Sequence, residues 1–165
     1  MGQPTVFTVC GLPGSGKTTF AQKVALDHGA VCFSADAWVL HLYGSELPVA
    51  RFLDYKERVW QLSWQVASRL LELRIDVVLD FSFYLRSERD IFRQRAEAAG
   101  ATFRMYYLDC PRELARARIE ARNREHRPGT FAIAAEDFDR LAATLQPPAR
   151  DEAADIIRVQ AEIDL

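Results

Sequence analysis

The chain lacks any run of about 18 apolar residues, so no membrane-spanning helix is expected. Its N-terminus has no basic segment followed by an apolar stretch, so nothing reads as an export signal and a cytoplasmic location is expected. Cysteine is scarce. Cys10, Cys32 and Cys110 stand far apart and match no metal-ligand spacing, which fits reduced thiols packed at strand ends. His28, His41 and His126 show no metal spacing either and read as surface or packing residues. No internal repeat, low-complexity tract or linker-like shift interrupts the 165 residues, which read as one domain. Strong net charge is also missing: a balance of −2 gives no global pull toward nucleic acid or anionic lipid. Lysine is rare, three residues against eighteen arginines, so the placement of the arginines carries more information than their number.

What is present is the composition of a folded protein, 49% apolar and 27% charged. Short β-branched or apolar runs, "PTVFTV", "AVCFS", "DVVLDF", "TFRMYYLD" and "DIIRV", alternate with segments of helical spacing. The first helix, "KTTFAQKVALDHG", stops at Gly29, a natural C-terminal cap. Residues 49 to 74 carry Phe52, Val59, Leu62, Val66 and Leu70 at helical intervals, which predicts one long amphipathic helix with those residues inward. "SERDIFRQRAEAAG" opens with Ser87 three residues before Asp90, a variant capping box, and closes at Gly100. Pro111 stands at the first turn of an arginine-rich helix. A short helix follows around Glu136 to Leu145. Strands alternating with helices predict an α/β fold with a mainly parallel sheet.

Gly11-Leu12-Pro13-Gly14-Ser15-Gly16-Lys17-Thr18 fits G-x-x-x-x-G-K-[ST] and lies between a predicted strand and a predicted helix. Glycines let successive backbone N–H groups converge on an anion, and the helix start adds its positive dipole end. In that arrangement Lys17 reaches the β- and γ-phosphates of a nucleotide and the Thr18 hydroxyl helps hold Mg²⁺. The nucleotide-binding set is therefore Gly11, Pro13, Gly14, Ser15, Gly16, Lys17, Thr18 and Thr19. The N-K-x-D and D-x-x-G segments of signalling GTPases are absent, as is the serine-glycine-glycine signature of transporter ATPases. Residues 112 to 127 instead gather six arginines against three glutamates, a net of +3. Phosphoryl transfer needs positive charge on the migrating group and exclusion of water, and a mobile arginine-bearing lid supplies both.

In their order, the cradle, "FSADAW", "VVLDFSFYLRSERD", "YYLDCPRELARARIEARNREHRPGTF" and "LQPP" resemble the small P-loop kinases over roughly residues 5 to 150. The likeness is closest to zeta-toxin-like and AAA_33-type ATP-binding kinases. The wider group includes chloramphenicol phosphotransferase, gluconate and shikimate kinases and polynucleotide 5′-kinases. The resemblance implies a three-layer P-loop sandwich with a five-stranded sheet in the order 2-3-1-4-5, use of ATP, and a lid at about residues 118–131.

The same resemblance gives residue roles. Asp36, in Ser34-Ala35-Asp36 past the second strand, is similar to the aspartate that orients or deprotonates the acceptor hydroxyl; a helix N-cap is the structural alternative. Asp80, closing the third strand, is placed near the acceptor or a magnesium-bound water. Arg118 is expected against the adenine face, with Pro147 of Gln146-Pro147-Pro148 covering its other side, and Arg122 and Arg127 on the phosphates. Phe81-Ser82-Phe83-Tyr84 departs from the glycine, threonine or asparagine common in the family after this aspartate and suggests an aromatic wall. Trp38, Phe83 and Arg86 are candidate acceptor contacts, with Arg89 flanking the same strand exit; Trp60 and Trp64, four apart, read as core. The implied activity is transfer of the γ-phosphate of ATP, with Mg²⁺, to a hydroxyl of a small molecule. A nucleic-acid 5′-hydroxyl kinase, an antibiotic-modifying phosphotransferase and a nucleotide-binding regulatory module without catalysis remain alternatives. The charge balance disfavours the first, because a nucleic-acid groove is broadly basic.

Overall fold

The structure, a computed structural model, describes residues 2–44, 49–125, 131–153 and 155–158. Five parallel strands stand in the order β2-β3-β1-β4-β5: β1 (Thr5–Gly11), β2 (Val31–Ser34), β3 (Val77–Ser82), β4 (Thr102–Asp109) and β5 (Asp155–Arg158). The helices are α1 (Lys17–His28), α2 (Ala35–Tyr43), α3 (Val49–Glu72), α4 (Arg86–Ala98), α5 (Arg112–Glu125) and α6 (Ala135–Thr144), followed by a 3-10 turn at Arg150–Glu152. This is the expected P-loop architecture.

Period-two alternation divides the central strands between two cores. Val6 and Cys10 of β1, with Val77, Leu79 and Phe81 of β3, face α3 and α4. Phe7, Val9 and Val78 face α1, where Ala21, Val24 and Ala25 fill the contact. A third cluster, Cys110, Ala115, Ile119 and Phe138, joins α5 to α6. All three cysteines are free thiols, and burial pushes Cys10 up to about 12 and Cys32 to about 11, which leaves them protonated and inert at neutral pH.

The long helix forms, but its inward face differs from the expected one. Leu62 and Val66 are 48% and 43% exposed, while Val59, Ser63, Ala67 and Leu71 are buried. Small residues at four-residue spacing let α3 approach the sheet closely, and Trp60 and Trp64 reach over to the aromatic cluster. The start of α4 differs as well. Its N-cap is Leu85, whose N–H donates to the Glu88 carboxylate at 2.9 Å, so Ser87 and Asp90 are not the capping pair.

Candidate active site

The cradle is built by backbone conformations that only particular residues hold. Gly16 caps α1 in the left-handed region at φ 95°. Gly14 is also left-handed at φ 80°, and a Cβ there would strike the Ala115 carbonyl of α5. The cradle thus rests directly on the first turns of the arginine-rich helix. Lys17 is buried, and its Nζ donates to the carbonyls of Gly11 at 3.1 Å and Leu12 at 2.8 Å. Burial pulls Lys17 down to about 8; Asp80 and then Asp36 oppose that fall, while Lys56 adds to it. The donor lysine therefore feels both candidate aspartates.

Asp80 lies behind Thr18. The Thr18 hydroxyl donates to Asp80 Oδ2 at 2.8 Å, and Ser34 Oγ donates to the same oxygen at 3.1 Å. Burial raises Asp80, with those two bonds and Lys17 working the other way. Pairing between β1 and β3 slips here, so that Thr8 stands opposite Leu79 but Cys10 opposite Ser82. One extra β3 residue is thereby accommodated beside the site. Thr18 and Asp80 offer the oxygen donors that a hard cation takes, and Thr18 is an exposed residue. Among the described residues no group of three or more His, Cys, Asp and Glu could hold a metal by itself.

Asp36 sits in the first turn of α2, where a carboxylate complements the helix dipole, but Ser34 occupies the cap position. Its side chain is 50% exposed, and Oδ1 is occluded without a hydrogen-bond partner, 3.8 Å from Lys56 Nζ. Lys56, a residue not singled out in the sequence, comes from α3 and is only 12% exposed. Its ammonium lies 5.4 Å from the Trp60 ring centroid, 5.7 Å from Tyr84 and 6.0 Å from Phe52. Tyr84 also faces Lys17, at 5.8 Å. Burial pushes the Tyr84 phenol well above its ordinary range.

Several expected acceptor contacts have other duties. Phe83 is fully buried among Trp60, Phe81 and Phe92, so it supports the wall from behind and cannot touch a ligand. Trp38 packs on Phe33 at a centroid distance of 5.8 Å. Arg86 is exposed and held by Asp151 through two hydrogen bonds of 3.2 and 2.6 Å. Arg89 is fully buried, and its bidentate pairing with Glu152 at 2.6 and 2.9 Å was not foreseen. Burial raises Glu152, but the Arg89 guanidinium and the Ala149 N–H outweigh it and hold the carboxyl below its ordinary value. Arg89 also donates to the Phe83 carbonyl at 3.1 Å, where Ser82 and Phe83 take positive φ values of 71° and 44°. Such left-handed non-glycine residues persist only when their surroundings over-determine them.

The segment expected over adenine lies on the β3 side of the cradle. The Gln146 N–H donates to the Tyr84 carbonyl at 2.9 Å, and its side-chain oxygen accepts from the Arg86 N–H at 2.9 Å. Pro147, next to it, is thus carried to the Tyr84 wall. In α5, Arg112 and Arg116 are committed to Asp139 of α6. Arg122 donates to the Phe131 carbonyl at 3.0 Å, while Asn123 exchanges two hydrogen bonds with the backbone of Ile133. These contacts tie Phe131 and Ile133 back to α5, and Phe131 meets Phe52 edge-on at 4.2 Å beside Lys56. Arg118 lies near enough to Cys110 to act on its thiol. Arg127 and His126 lie outside the described residues.

Comparison with known proteins agrees with this architecture. No curated protein matches the chain in sequence. Among solved structures, a gluconokinase from Sinorhizobium meliloti shares 20% identity at a TM-score of 0.64, with 98% of this chain and 86% of that one covered. Kti12 of Chaetomium thermophilum, solved in complex with ADP-AlF3, shares 18% identity at a TM-score of 0.72, covering 96% and 91%. A chain of the Pnkp1/Rnl/Hen1 RNA repair complex shares 24% identity at a TM-score of 0.70, covering 88% of this chain but 45% of its own length. At these identities the likeness establishes the fold. The sequence itself matches the AAA_33 family, described as an AAA domain, over residues 6–148, and the chain belongs to that family.

Proposed function

We propose that the protein is an ATP- and Mg²⁺-dependent kinase that phosphorylates a hydroxyl of a small molecule. One observation carries the reading: the cradle lysine, the Thr18–Asp80 pair and the half-open carboxylate of Asp36 converge at the C-terminal ends of β1, β2 and β3. That end of an open α/β sheet is where ligands bind.

In this reading the cradle N–H groups and Lys17 hold the β- and γ-phosphates, and Arg118 stacks on adenine. Magnesium, when bound, offsets charge on the phosphates; Thr18 would hold it, with Asp80 fixing that hydroxyl from behind. Asp36 orients the acceptor hydroxyl and takes its proton as the new oxygen–phosphorus bond forms and the bond to the β–γ bridging oxygen breaks. Arg122 and Arg127 bring positive charge to the migrating group. The remainder of the lid and the Tyr84 wall exclude water.

The test is transfer of label from γ-labelled ATP to a panel of polyols, hydroxy acids, nucleosides, antibiotics and 5′-hydroxyl oligonucleotides. Labelled product from a small-molecule member, lost in Asp36→Ala, supports the reading. Tight ATP binding with no transfer to any member favours a nucleotide-binding module instead, and transfer to oligonucleotides alone favours a nucleic-acid kinase.

A further inference from the structure

Lys56 has the wrong surroundings for a lysine that merely completes a salt bridge. Its side chain is 12% exposed, yet no hydrogen bond from its ammonium is formed among the described residues, and the nearest carboxylate oxygen is 3.8 Å away. Its stem is packed away, but the ammonium itself is not fully enclosed, so its N–H donors keep an opening to solvent. Besides the Asp36 carboxylate, the charge meets three aromatic faces, Phe52, Trp60 and Tyr84, at 5.4 to 6.0 Å. Cation–π contacts stabilise the charge without occupying its N–H donors. Those donors therefore remain for a partner that arrives from the side of Asp36. The indole N–H of Trp60, beside it, is buried without a partner. The lysine also adjoins the transfer centre, since its ammonium and that of Lys17 both lie over the Tyr84 ring, at 5.7 and 5.8 Å.

We infer that Lys56 and its aromatic box form an anion-recognition subsite, so that the acceptor carries a carboxylate or phosphate group in addition to the hydroxyl that is phosphorylated. The inference rests on the kinase reading of the site and narrows it to a substrate class. A neutral alcohol would offer this half-enclosed ammonium only a weak neutral acceptor, whereas an oxyanion accepts from it in a charge-assisted bond. Asp36 sharpens the choice. Its occluded Oδ1 faces Lys56 at a distance too long for a hydrogen bond, so the lysine neutralises the repulsion that an anionic acceptor would otherwise meet there. Phe131 meets Phe52 edge-on at 4.2 Å and adds a further ring beside the box.

Two matched series test this: glycerol, glycerate and glycerol 3-phosphate, then sorbitol, gluconate and sorbitol 6-phosphate. Binding is read by tryptophan fluorescence with a non-hydrolysable ATP analogue present, because Trp60 borders the subsite; transfer is read with labelled ATP. The anionic members are expected to quench and to exceed their neutral counterparts in kcat/KM by about 10- to 100-fold, the range of a charge-assisted hydrogen bond. Whether glycerate and gluconate or the phosphate esters lead distinguishes carboxylate from phosphate. Lys56→Met, which keeps the apolar packing, should abolish the quench and collapse the anionic preference to within about threefold, and Lys56→Arg should restore part of both. Preference for neutral members, an equal loss on neutral and anionic members in Lys56→Met, or no quench from any anionic member would overturn the inference. Lys56-dependent quenching by anions without transfer to any acceptor would leave the subsite standing and remove the kinase reading.

Discussion

The phosphate cradle occupies eight consecutive positions, residues 11–18, whereas the wall facing it draws Asp36, Lys56, Asp80 and Tyr84 from three separate segments, α2, α3 and β3 with its exit. The two regions also use different chemistry. The cradle is a backbone device, in which left-handed glycines and the start of α1 aim N–H groups at an anion, with one buried lysine added. The wall is a side-chain device that depends on tertiary packing: a strained turn at Ser82 and Phe83, an aromatic cluster behind it and a buried ion pair beneath it. Phosphate is the constant part of such a reaction and can be recognised by a short local segment. The acceptor varies between proteins of one fold, and its recognition is assembled from distant residues.

Damage to each region should therefore register differently. The largest effect is expected in the cradle: Lys17→Met should lower transfer by about 10²- to 10³-fold, as loss of a charge-stabilising donor does, with thermal stability maintained or raised because a buried charge is removed. Single-turnover kinetics beside a melting curve checks both parts. In the wall, Glu152→Ala strands the Arg89 guanidinium in the interior and should cost about 3–5 kcal/mol by denaturant titration. Replacing Arg89 and Glu152 together by methionine and leucine should cost less. A cradle that lost its fold on Lys17→Met, or a wall indifferent to Glu152→Ala, would erase the contrast.

A smaller effect follows from titration. Lys17 stands at about 8 in the fold against 10.5 ordinarily, so between those values the folded chain binds fewer protons than the unfolded one. Its contribution to the stability of the nucleotide-free protein is therefore complete above pH 10.5 and lost as the pH falls through 8. Nucleotide binding needs the charged form, so ATP affinity should decline above pH 8 by up to about tenfold per pH unit, and Lys17→Met should flatten that profile in calorimetric titrations. The smallest effect is expected outside both regions. Leu62→Gln, on the outward face of α3, should change stability by no more than about 0.5 kcal/mol.

Legibility in the sequence followed the same division. The strand–glycine turn–helix pattern, the cap at Gly29 and the sheet order follow from local signals and a family likeness that covers almost the whole chain. Asp36 and Asp80 are legible because they stand just past β2 and two residues before the end of β3, where side chains reach the crevice. Lys56 is not, because nothing near it in sequence shows that α3 brings it 3.8 Å from a carboxylate twenty residues earlier. Arg89 and Glu152, 63 residues apart, were equally hidden. Leu62 and Val66 misled for a physical reason: helical spacing gives the width of an apolar face but not its rotation, which Ser63 and Ala67 set by permitting close approach to the sheet. Phe83 was recognised as part of an aromatic wall, but a left-handed backbone turns it inward, and only Tyr84 is left toward Lys17 and Lys56.

The claim that joins the two regions is that Asp36 serves the acceptor and not the nucleotide. It is tested most directly by measuring, on Asp36→Ala and wild type in parallel, ATP affinity by calorimetry and transfer from labelled ATP to the best acceptor. The account predicts ATP affinity within about threefold of wild type and transfer reduced by about 10²- to 10⁴-fold, the range for loss of a general base. Transfer at the wild-type rate, or a loss that tracks a matching loss of ATP affinity, would contradict it.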